Sequence, residues 1–83
     1  MTQANIITEI LAERKRQGEK WNKRHAWGFG DCSHETVPTI VKAAVLSEEC
    51  GEVAQAVLEK DSEQLKKELI QVAAVAVAWL ESI

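Results

Sequence analysis

The stretch Glu48-Glu49-Cys50-Gly51-Glu52, followed by Glu68-Leu69-Ile70-Gln71, decides how this chain reads. Both segments lie in helical pattern, where residues three or four apart share a face. Glu49 and Glu52 therefore point the same way, and Glu48 reaches Glu52 at the next turn. Glu68 and Gln71 form a second pair at the same spacing. Fifteen residues separate Glu52 from Glu68, enough for the chain to turn and return antiparallel. Two facing helices then offer oxygen ligands to one hard cation. Such sites suit Mg2+ or Mn2+, which keep several waters and bind substrate phosphates. Carboxylates gathered in one place repel one another and call for a cation to neutralise them.

A solvated acidic face is the commoner fate of paired glutamates. Here the acids sit among apolar residues, with Ala43, Ala44, Val45 and Leu46 before them and Val53 and Ala54 after. No Lys or Arg lies four residues beyond Glu48, Glu49 or Glu52, so helical ion pairs do not account for them.

Working outward, the helix that carries Glu48 begins near 37, with Pro38 in its first turn and Thr36 or Val37 near the cap, and runs to 59. Asp61 opens the next helix, residues 62–81, and Gln64 completes a capping-box pattern. That helix is polar at first and then apolar almost all round, so it is expected to be buried on every side. A chain of 83 residues can hardly surround it, which implies a partner subunit. The first helix spans residues 3–17, with Ile6, Ile7, Ile10 and Leu11 at helical spacing and Gly18 as its stop. Between them, residues 19–36 lose all periodicity and hold Trp21, Trp27, Phe29 and both histidines. A loop this long in a small domain is usually functional or disordered, and its aromatic content favours an ordered, functional one. The fold class is therefore all-α: one domain, residues 1–83, with about three helices per chain in a bundle completed by oligomerisation.

The net charge of −3 and pI near 5.3 argue against non-specific nucleic-acid binding. The apolar run Val72–Leu80 is too short to span a bilayer, and no secretory signal is evident, so a cytoplasmic protein is expected. Cys32 and Cys50 fit free thiols. His25, Cys32 and His34 have irregular spacing and no fourth ligand nearby, a weak zinc signal.

The EECGE segment followed by ELIQ resembles the signature of the MazG-like all-α nucleoside triphosphate pyrophosphatases, E-E-x-x-E then E-x-x-D. The resemblance covers residues 37–83, and Gln71 stands where an Asp is usual. Gln offers a carbonyl oxygen but no charge. The resemblance implies Mg-dependent hydrolysis of a (deoxy)nucleoside triphosphate to the monophosphate and pyrophosphate, as in cleansing of a nucleotide pool. It also implies a site assembled across a homodimer or homotetramer. The alternatives are a weakened nucleotide-binding relative and a helical interaction module without catalysis.

On that reading Glu49, Glu52, Glu68 and Gln71 hold Mg2+, with Mn2+ as a substitute, and Glu48 orients or deprotonates the attacking water. Trp27 is the candidate for stacking on the base, with Trp21 beside it, and a loop cation contacts the phosphates. Lys42, one and a half helical turns before Glu48, is expected to point toward the same cavity. The larger relatives take phosphate contacts from a further C-terminal helix. Here the loop, Lys42, Arg14 or a second subunit is expected to supply them.

Overall fold

The computed structural model describes every residue, Met1–Ile83. It is all-α, as expected, with three helices and one small hairpin: α1 (Gln3–Lys20), β1 (Arg24–His25), β2 (Gly28–Phe29), α2 (Thr39–Leu58) and α3 (Ser62–Glu81). α3 is the central element. It packs against both α1 and α2, which do not pack on each other.

α1 starts where the Thr2 hydroxyl accepts from the Asn5 N–H at 3.2 Å. It does not stop at Gly18 but continues to Lys20, closing with the Trp21 N–H on the Gln17 carbonyl. The glycine has a tertiary reason instead. A Cβ there would lie 2.9 Å from Arg14 Nη1 and 3.4 Å from Asp31 Oδ2.

The segment expected to be a plain loop contains a minimal antiparallel ladder, with Arg24 opposite Phe29 and His25 opposite Gly28. Two residues per strand fall below any detectable alternation. Gly28 and Gly30 both have positive φ. At Gly30 a Cβ would also collide with the His34 ring, so the turn needs glycine twice over.

α2 begins at Thr39, later than expected. Pro38 is the residue before it, and its carbonyl accepts from the Val41 and Lys42 N–H groups. Val37 does not cap; it is 3 % exposed and packs inward. At the other end the Lys60 N–H donates to Val57 O and the Asp61 N–H to Ala56 O. That is the Schellman pattern, and it puts Lys60 in the left-handed region at φ 56°. Asp61 then caps α3 through Oδ1 and the Gln64 N–H at 3.0 Å. The reciprocal half of the expected capping box is not made, because the Asp61 N–H is already used.

The core is small. Cys32, Val75 and Ala78 form its centre, with Val45, Leu46 and Trp79 packed against it. Ten of 83 residues are buried and no large side chain is fully enclosed. Leu69 and Leu80 stay exposed, so the apolar circumference of α3 is only partly covered within one chain, and Ile40 and Leu58 of α2 are exposed as well. No helix is long and apolar enough to cross a membrane. Both cysteines are free, Cys32 buried and Cys50 exposed.

Candidate metal and nucleotide site

The α2–α3 hairpin brings Glu49 and Glu52 opposite Glu68. One carboxylate oxygen from each lies within 4.8 Å of the other two. Glu68 is buried, while Glu49 and Glu52 are half-buried. No other group of His, Cys, Asp or Glu side chains converges in this way. Cys32 sits in the core, His25 stacks on Trp27 and His34 meets the edge of Phe29, so the weak zinc signal has no geometry behind it.

The electrostatics follow from the crowding. Burial, then the charge of Glu52, pushes the Glu49 carboxyl up to about 7. Contact with the Glu68 carboxyl, then burial, raises Glu52. Like charges held this close resist joint ionisation. An all-oxygen donor set of crowded carboxylates fits a hard divalent cation, whose charge would offset that repulsion.

Gln71 joins the cluster as a donor. With the amide oriented by its hydrogen-bonding surroundings, its nitrogen donates to Glu68 Oε2 and Glu49 Oε2, each at 3.0 Å. The residue expected to lend a neutral oxygen to the cation thus bridges two of the acids.

A cavity of about 280 Å³ opens beside the acids. Glu48, Glu49 and Glu52 line one part, and Val41, Val45 and Val75 line an apolar part. Trp21 and Trp27 border it, whereas Phe29 does not. The His25 ring stacks on Trp27 at 4.7 Å and 6° between planes, and the Trp21 ring lies tilted beside Trp27 at 6.4 Å. Trp21 lies 5.0 Å from His25, and Lys20 Nζ sits 5.2 Å from the Trp21 ring.

Lys42 does not reach this cavity. It is 4 % exposed, and its Nζ donates to Ser82 Oγ at 2.8 Å. Helical side chains lean toward their own N-terminus. The antiparallel neighbour delivers the C-terminal end of α3 to that point, where a cation is favoured by the helix dipole. Arg14 is likewise committed elsewhere, to Asp31 at 2.8 Å and Glu81 at 2.9 Å.

The cations that do line the cavity are Arg16, which sequence reasoning missed, and Lys20, one of the loop cations beside the aromatics. Arg16 pairs with Glu13 at 2.6 Å. Gln17, also lining, is buried, and its amide donates to Glu13 Oε2 at 3.1 Å and to the Gln71 carbonyl at 3.4 Å. The signal was available in part: Arg16 and Lys20 are four residues apart, one helical face, once α1 is allowed to run past Gly18.

With this geometry in place, residues 38–81 match the MazG nucleotide pyrophosphohydrolase domain. The chain therefore belongs to the MazG family, whose members act on nucleotides and typically use divalent metals. No curated protein and no solved structure matches the chain significantly.

Proposed function

We propose that the chain hydrolyses a nucleoside triphosphate, deoxy or non-standard, to the monophosphate and pyrophosphate, in the manner of a pool-cleansing enzyme. The observation that carries this reading is the convergence of Glu49, Glu52 and Glu68, the first two lining a cavity that also has an apolar part, two tryptophans and two cations. These three acids are the ligands for Mg2+ or Mn2+. When bound, the cation supplies charge neutralisation at phosphate oxygens.

Each remaining role falls to this chain's own side chains. Arg16 and Lys20, the cations lining the cavity, hold phosphate oxygens. Trp27, which lines the cavity with Trp21 beside it, takes the base. Glu48 is exposed and lines the cavity, where water reaches it. It accepts the proton as the water oxygen bonds to phosphorus and the α–β phosphoanhydride bond breaks, releasing pyrophosphate. The uncovered apolar surface of α3 is the contact for a second copy, in a homodimer or homotetramer.

One observation favours a second reading, a nucleotide-binding relative with weakened turnover: Gln71 supplies no charge at a position where the family usually has an acid. The test is a panel of ordinary and modified nucleotides, incubated with and without Mg2+, with pyrophosphate quantified. Pyrophosphate from at least one nucleotide, dependent on Mg2+, supports hydrolysis. Nucleotide binding without pyrophosphate supports the weakened relative. Neither binding nor turnover sinks both.

A further inference from the structure

Glu68 is the buried member of the acidic cluster, and both of its oxygens are already held. Gln64 Nε2 donates to Oε1 at 2.6 Å, and Gln71 Nε2 donates to Oε2 at 3.0 Å. The donors come from opposite directions along α3, one turn before Glu68 and one turn after it. Gln71 uses its second hydrogen on Glu49, 3.0 Å away on α2. Resting on the cation reading above, we propose that Gln64 is a positioning residue that fixes the Glu68 carboxylate for the cation.

The physical case has three parts. A carboxylate gripped at both oxygens cannot rotate about its terminal bond. Each oxygen keeps a lone pair beyond the one its amide uses, so a cation can still be met. Side chains that orient a ligating carboxylate in this way typically contribute about 10–100-fold to metal affinity.

The local fold explains why Gln64 is free for this task. At the third helical position after an Asp cap, a Gln side chain would ordinarily reach back to the backbone N–H of the cap. Here the Asp61 N–H is taken by the Ala56 carbonyl at 3.1 Å, inside the Schellman turn. The backbone of Gln64 still serves the cap, through its N–H to Asp61 Oδ1. Its side chain is released to point down the helix at Glu68, four residues on.

A control lies on α2. Gln55 Nε2 donates to Glu59 Oε1 at 3.1 Å, the same amide-to-carboxylate pair at the same spacing, but exposed and outside the cavity. Any contribution of such a pair to helix stability alone is shared by both sites. The experiment titrates the full chain with Mn2+ alone and reads free Mn2+ by electron paramagnetic resonance, with a thermal melt on each protein. Gln64→Leu is expected to weaken Mn2+ binding about tenfold or more. Gln55→Leu is expected to leave it within twofold, with comparable melting temperatures for the two variants. Gln64→Ala repeats the measurement with a stronger helix former. Parental affinity in the Gln64 variants overturns the positioning role while leaving the cation site standing. Loss of the fold in both Gln64 variants makes the residue structural and overturns it equally. A parent that binds no Mn2+ at all removes the cation reading itself, and the positioning role with it.

Discussion

Arg14 crosses α1 directly over Gly18, with its Nη1 where it would lie 2.9 Å from any Cβ added there. The guanidinium cannot simply swing aside. Its Nε and Nη2 donate to Glu81 and its Nη1 to Asp31, at 3.1, 2.9 and 2.8 Å. The pairing joins α1, the end of α3 and the aromatic loop. Asp31 also accepts from the Ser33 N–H and hydroxyl. Burial works against its ionisation, but these hydrogen bonds and the Arg14 charge outweigh it and hold the carboxyl below its usual value. In isolation a helical Gly→Ala exchange gains about 1 kcal/mol. Gly18→Ala is expected to lower the melting temperature instead, because the methyl dislodges Arg14. In an Arg14→Met background the same exchange should raise it. A double-mutant cycle by thermal denaturation reads the reversal. Two additive, stabilising effects would contradict the packing account.

Lys60 offers a second stability test. It holds a left-handed conformation at the end of α2, where a side chain costs roughly 1–2 kcal/mol and glycine does not. Against the extra unfolded-state freedom of glycine, Lys60→Gly should stabilise by about 0.5–1 kcal/mol. An unchanged or lowered melting temperature would show that the turn relaxes in solution.

The acids make a pH prediction with a definite sign. Glu49 titrates near 7 in the folded chain, against a usual carboxyl value of 4.5. The folded state therefore holds more protons than the unfolded one between those values. Stability contributed by the neutral carboxyl is fully present below about 4.5 and is lost as pH rises through about 7. Without metal, the melting temperature should fall across that window. With Mn2+ the trend should flatten or reverse, because metal and protons compete for the same oxygens. Calorimetric scans from pH 4 to 8, with and without Mn2+, check this. A metal-free melting temperature that climbs through that range would place Glu49 in a more open setting.

Trp27 tests the aromatic border. Stacking on a base is remote from the phosphates and acts alike in ground and transition states. Trp27→Ala should therefore raise KM more than it lowers kcat. The ring is 38 % exposed, so the fold should survive its loss. A drop in kcat at constant KM would move base recognition to Trp21.

The acidic cluster was legible because it depends on spacing alone: Glu49 and Glu52 three positions apart, and a hairpin long enough to bring Glu68 back. Helix identities were legible for the same reason. What the sequence hid was set by long side chains and tertiary contact. Lys42 shares the helix with the acids, but its four-carbon stem leans back to Ser82. Gly18 reads as a stop by local preference, yet its missing side chain makes room for Arg14. That single misreading of α1 left Lys20 in a loop and concealed the Arg16–Lys20 face. The spacing puts Gln71 on the same face as Glu68, but which end of its amide faces the acids follows only from their positions.

The most direct test of the central claim is pyrophosphate release by Glu49→Gln and Glu52→Gln at saturating Mg2+ and nucleotide. Each exchange removes charge from the cluster at nearly constant volume. The account predicts that both variants keep the parental helical circular dichroism and release no measurable pyrophosphate. Parental rates of release from both variants would show that the acids of α2 are not the centre of the reaction.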